Sequence, residues 1–215
     1  MIDSKRIAKN TGFLYIRMLL IMAVTLYTSR VILNALGADD YGLYNLVGGI
    51  VSMLAFLNGT LATATSRFLT FDIGIGDFKR LKQTFSTSFF SHFALGCVVV
   101  LLMETVGLWF ILNKAIIPIE RLEATLWVFH ISVVTVLVTF TQVPYTSLIM
   151  AHEQMKAFAY ISLLEALLKL AIAFLIVISP IDQLVFYAIL MFATQFSIAM
   201  IYRYYCYRRW DESHI

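Results

Sequence analysis

The chain has 215 residues, of which 60% are hydrophobic and 13% charged, with a formal net charge of +3 and a mean hydropathy of +0.84. A soluble domain carries roughly 45–50% apolar and ~25% charged residues, so a soluble globular enzyme and a disordered segment are both excluded. Two cysteines, Cys97 and Cys206, are too few for a disulfide framework, and the small net charge gives no argument for nucleic acid.

The first expected helix covers residues 11–36 and is interrupted by Arg17 and Arg30. Lys5, Arg6 and Lys9 precede it in the manner of a signal peptide, but the apolar run is too long for a typical h-region. No clear Ala-x-Ala site follows, so it reads as an uncleaved span. Gly37–Asp40 reads as a helix stop and turn. The second helix, 41–71, contains Tyr41–Ser66, 26 residues without Asp, Glu, Lys or Arg. Gly74 and Gly76 mark the next connector. The third helix, 82–112, holds 21 uncharged residues at Gln83–Met103, and Pro118 lies in the connector that follows. The fourth, 122–151, lies within an uncharged stretch of 29 residues, Ala124–His152, apart from its first residues; Gln142, Pro144 and Tyr145 predict a kink there. Residues 157–178 form the fifth helix, interrupted by Glu165 and Lys169. Pro180 precedes the sixth, 182–205, with 20 uncharged residues at Gln183–Tyr202.

A bilayer core of ~30 Å takes about 20 helical residues at ~1.5 Å each. The stretches lack the period-2 alternation of barrel strands, and helices satisfy their own backbone groups in lipid. The connectors are too short for a folded extramembrane domain. The expected architecture is therefore an all-α integral membrane protein, a six-transmembrane-helix bundle forming a single domain over 1–215.

Lys and Arg bias sets orientation. Ten cations fall on one side of the six expected spans: Lys5, Arg6 and Lys9; Lys79, Arg80 and Lys82; Lys156; and Arg203, Arg208 and Arg209. Lys114 and Arg121 alone fall on the other, beside Asp39, Asp40, Glu120, Glu123 and Asp182. Both termini are expected to be cytoplasmic.

The remaining cations, Arg17, Arg30, Arg67 and Lys169, fall within spans, as do Glu104 and Glu165. A charge at the bilayer centre costs at least ~2.5–3.5 kcal/mol on insertion scales, so such residues face a cavity, pair, or snorkel. Arg17 and Arg67 lie near span ends and suit either snorkelling or a cavity; Arg30 presents the same choice at the opposite end. Glu165 and Lys169 stand four apart with the acid first, the favourable order on a helix. They form either a self-neutralising pair that eases insertion or a site where Lys169 meets an anionic substrate and Glu165 tunes it or carries a coupling proton. His92 and His130 stand alone, which suits helix-packing hydrogen bonds better than metal ligation. Asn58-Gly59-Thr60 matches a glycosylation sequon but lies mid-span. Gly48-Gly49 and Thr60, Thr63, Thr65 and Ser66 offer small faces for close helix packing. No P-loop, His-Glu-x-x-His or nucleotide-binding turn is present, so nothing points to an enzyme or to a cofactor.

Several phrases resemble the polysaccharide-export flippases of the Wzx type. They are Asn10-Thr-Gly-Phe-Leu-Tyr-Ile-Arg17, the run from Ser29-Arg30 through Asn34, Gly37, Tyr41-Gly42 and Tyr44-Asn45 to Gly49, and Phe56-Leu-Asn58-Gly59 through Ser66-Arg67-Phe68. Ala151-His-Glu153 through Glu165 to Lys169 resembles the fifth helix of that family. The resemblance implies membership of the multidrug/oligosaccharidyl-lipid/polysaccharide exporter superfamily, whose transporters place two six-helix lobes around a central cavity. It implies a bacterial inner-membrane flippase moving an undecaprenyl-pyrophosphate-linked oligosaccharide for O-antigen or polysaccharide synthesis. Arg17, Arg30, Arg67 and Lys169 would then meet the pyrophosphate, with Glu165 as their charge partner. Six helices match one lobe, and alternating access needs two. A second lobe is thus an expected partner, either further along a longer chain or a second copy. The alternatives are a small-molecule exporter lobe of the same superfamily, and a non-transporting module or truncated remnant associated with glycan synthesis.

Overall fold

The computed structural model describes residues 4–179 and 181–214, with side chains from Thr11 onward except at 13, 14 and 54–56. The side chains of Lys5, Arg6 and Lys9 and the whole of Pro180 lie outside the described residues. Among the described residues the chain is helical and has no strand. The long helices are α1 (Ser4–Ile75), α2 (Phe78–Leu102), α4 (Leu122–Ala151), α5 (Met155–Leu175) and α6 (Gln183–Arg209), with the short α3 (Leu108–Asn113) continuing α2 through a wide π-turn at Met103–Gly107.

Five helical segments are long and apolar enough to cross a membrane: Tyr15–Met53, Phe78–Asn113, Ile119–Ala151, Met155–Ile178 and Gln183–Arg209. The sequence reading expects six; its first two spans are joined in α1. That element is interrupted only at Gly37, with φ 80° and ψ 170°, a backbone conformation that an L side chain adopts only under strain. A straight helix of 72 residues would reach about 108 Å. Instead α1 doubles back at Gly37. Arg17 stacks over Phe158, and Phe158 packs on the cluster that contains Leu69 from the far arm. Near the turn, Ile32 and Leu36 share a cluster with Ile172, Ala173 and Ile176. The first arm, 4–36, thus runs alongside α5 in the same direction. The second arm, 38–75, packs into the centre: Leu43 and Val47 meet Val99, Val128 and Leu184.

Polar caps stop and start the helices at the turns. Asp77 accepts a hydrogen bond from the Arg80 amide at 3.0 Å and begins α2 after Gly76, whose φ is 78°. Asp182 accepts from the Leu184 and Val185 amides and begins α6. Helix α4 remains helical through Pro144, the position of the expected kink. Large apolar side chains such as Met53, Leu101, Trp109 and Phe174 face outward. That surface suits hydrocarbon and would drive aggregation in water.

Close approach between helices falls on other glycines than expected. A Cβ at Gly48 or Gly49 would meet nothing within 4 Å, so the expected tight packing there is not found. It occurs at Gly96, where a Cβ would stand 3.0 Å from Leu137 Cδ1 and 3.3 Å from Phe140 Cβ. Gly107 plays the same part against Phe129. Sequence alone cannot assign these roles, because they depend on which face meets a neighbour.

Candidate functional site: a polar cleft beside Lys169

A cleft of about 230 Å³ lies between the second arm of α1 and helices α4, α5 and α6. Its polar lining comes from Asn58 on the arm, Ser132, Thr135 and Thr139 on α4, Lys169 on α5 and Gln195 on α6. Each threonine on α4 returns its hydroxyl proton to the carbonyl four residues earlier, which satisfies the donor and leaves lone pairs free. Gln195 donates to Gln142 Oε1 at 2.8 Å, linking α6 to α4 beside the cleft. Pro144 has no amide to offer the carbonyl of Phe140, another lining residue, so that oxygen lacks its helical donor. Gly48 also lines the cleft, which explains why a Cβ there would meet open space.

Lys169 Nζ donates to Glu165 Oε1 at 2.6 Å, as the four-residue spacing predicts, and the pair is about a quarter to two-fifths exposed. Asn58 Oδ1 is buried without a hydrogen-bond partner. A buried carbonyl oxygen without a donor costs about 1–3 kcal/mol. A bound hydroxyl-bearing molecule or water would recover that cost. The cleft therefore presents one ammonium, an acceptor-rich wall and an unfilled carbonyl within a bundle of largely apolar helices. Such an arrangement suits polar, hydroxylated or anionic groups, and among the described residues no nucleophile is held against a base in it.

The other three expected cations go elsewhere. Arg17 lines a different groove, where its guanidinium lies 4.4 Å from the Phe158 ring centroid. It remains in electrostatic range of Tyr202, as does Glu165, so these three groups occupy one region. Arg30 and Arg67 are exposed and make no ion pair among the described residues. The structure thus brings Lys169 and Glu165 together at the cleft and leaves Arg30 and Arg67 on the outer surface.

Four further polar clusters escape a reading by sequence. Arg121 bonds both Asp40 and Asp182, the latter at 2.5 Å through Nη1. This clasp ties the α1 turn to the start of α4 and the cap of α6. Partial burial raises the Asp182 pKa, but hydrogen bonds and charge from Arg121, with the Leu184 and Val185 amides, hold it below the usual carboxylate range. At the opposite end Asp72 pairs with Arg80 at 2.9 Å and accepts from Thr84, while His152 meets Glu212 at 2.7 Å and stacks on Trp210. Partway along the bundle, His130 Nδ1 lies 3.0 Å from Glu104 Oε1, in the π-turn. His130 thus makes a hydrogen bond between packed helices, as expected, with an acid as its partner. His92 instead bonds within its own helix, to the Ser88 carbonyl. No group of three or more potential metal ligands occurs among the described residues. The sequence matches no family model, no curated protein and no solved structure.

Proposed function

We propose that this chain is one six-span lobe of a bacterial inner-membrane exporter that carries a lipid-linked anionic oligosaccharide, and that it acts as a transporter rather than an enzyme. The observation that carries the reading is Lys169, held by Glu165 at a polar cleft among largely apolar helices. An ionisable residue within a membrane span marks a substrate or ion path by default. The hydroxylated wall suits a sugar, and the ammonium suits phosphate. In this reading the two arms of α1 cross the membrane separately, giving six crossings, and the end rich in Lys and Arg faces the cytoplasm. Exposed Arg30 and Arg67 then lie where a second lobe closes a central cavity over them. The resemblance to the polysaccharide-export flippases supports the same assignment.

The test is deletion of the gene in its host, followed by assay of surface glycan and of lipid-linked oligosaccharide within the membrane. Loss of surface glycan with accumulation of the lipid-linked precursor on the cytoplasmic side is the expected result. Unchanged glycan with lost efflux of small molecules would replace the reading with a small-molecule exporter. Unchanged glycan and unchanged efflux would identify a non-transporting module.

A further inference from the structure

A second cavity, of about 980 Å³, lies between the first arm of α1 and the junction of α4 with α5. Met18, Met22 and Leu26 on the arm and Met150 and Met155 at the junction line it, with Thr11, Tyr15 and Arg17 toward the start of the arm. Unbranched thioether side chains adapt to flexible hydrocarbon better than branched ones. The geometry also matches one membrane leaflet. From Arg17 to the Gly37 turn is 20 residues, about 30 Å of helix and hence one hydrocarbon thickness. From Arg17 to Leu26 is nine residues, about 14 Å, close to half of that thickness. The groove starts further out, at Thr11 and Tyr15, so Arg17 lies within it, and the part beyond Arg17 runs to mid-bilayer.

Arg17 in its wall has no anionic partner. Its Nε is buried and its face is taken by Phe158, so an anion in the groove would reach only its Nη groups, and no carboxylate among the described residues pairs with it. A guanidinium stays charged in proteins, so burial of this face leaves a cation in want of an anion. Basic pockets between membrane helices hold phosphate headgroups for this reason. We infer that the groove seats an anionic phospholipid, with its phosphate on Arg17 and one acyl chain along Met18, Met22 and Leu26. The inference is independent of what the Lys169 cleft transports.

Native mass spectrometry of the purified full chain tests it, titrating phosphatidylglycerol and phosphatidylcholine of identical acyl chains. The expected result is a preference of about fivefold or more for phosphatidylglycerol. Arg17→Gln abolishes that preference and Arg17→Lys keeps most of it. Met22→Trp fills the groove and weakens both lipids while the preference remains. Equal affinity for the two lipids, or a preference that survives Arg17→Gln, would overturn the inference. Displacement of phosphatidylglycerol by inorganic phosphate at equal concentration would assign the site to a free anion instead. A polyprenyl phosphate binding more than tenfold tighter than phosphatidylglycerol would assign it to an isoprenoid lipid. The wild-type preference needs no variant, so the test stands even where Arg17→Gln does not fold.

Discussion

Two ion-pair sites in this bundle are built in opposite ways. Arg121 draws on Asp40 and Asp182, which are 81 and 61 residues distant, and so joins three elements at one end. Glu165 and Lys169 stand four apart on a single helix. The first holds tertiary structure: it cannot be removed without freeing the α1 turn and the α6 cap together. The second is local to one helix, so Lys169 can exchange Glu165 for an incoming anion without separating two elements. A charge that lines a cleft while contributing little to packing is free to serve a ligand.

The largest stability effect is expected where the clasp is cut. Arg121→Ala removes charge-assisted hydrogen bonds to both aspartates and leaves the largely covered Asp40 unpaired. The expected loss is about 2–3 kcal/mol, read as a lowered midpoint of thermal unfolding in detergent. A next, smaller effect separates tight from open glycines. Gly96→Ala forces its Cβ against Leu137 and Phe140 and is expected to cost about 1–3 kcal/mol. Gly48→Ala, with open space before it, is expected to gain up to about 1 kcal/mol of helix propensity while narrowing the cleft. Equal effects at the two glycines would contradict the packing described above.

Acid acts on the clasp as well. Asp182 has a folded pKa below its unfolded value of about 3.9. Its contribution is therefore fully present above that value and lost as pH falls through the folded pKa. Thermal midpoints measured from pH 5 to pH 2.5 should fall more steeply for the wild type than for Asp182→Asn. The smallest effect is expected at the other pair: Glu165→Gln with Lys169→Gln, which removes both charges together, should change stability by about 0.5 kcal/mol or less. A loss as large as that of Arg121→Ala would make the cleft pair structural and erase the contrast.

How much of this was legible follows the same division. Local relations were readable. The uncharged stretches became long helices, Gly37 became the reversal, and the acid-first spacing of Glu165 and Lys169 became a hydrogen bond. Relations across the chain were not. Asp40, Arg121 and Asp182 read only as charges on one side of the spans, because nothing local distinguishes a clasped carboxylate from a free one. Glu104 and His130 are 26 residues apart, and the π-turn that carries Glu104 has no marker in its sequence, Met-Glu-Thr-Val-Gly. Asn58 reads as a misplaced sequon, while its buried oxygen faces a wall supplied largely by α4. Gln195 did carry a usable signal, a primary amide within an uncharged apolar run.

The central claim, that Lys169 serves an anionic glycan substrate rather than the fold, is tested most directly by glycan export in cells carrying Lys169→Gln or Lys169→Arg, with membrane abundance measured in parallel. The account predicts that Lys169→Gln lowers export at least tenfold at unchanged abundance, and that Lys169→Arg restores a substantial part. Normal export by Lys169→Gln, or a loss of export matched by loss of the protein from the membrane, would contradict it.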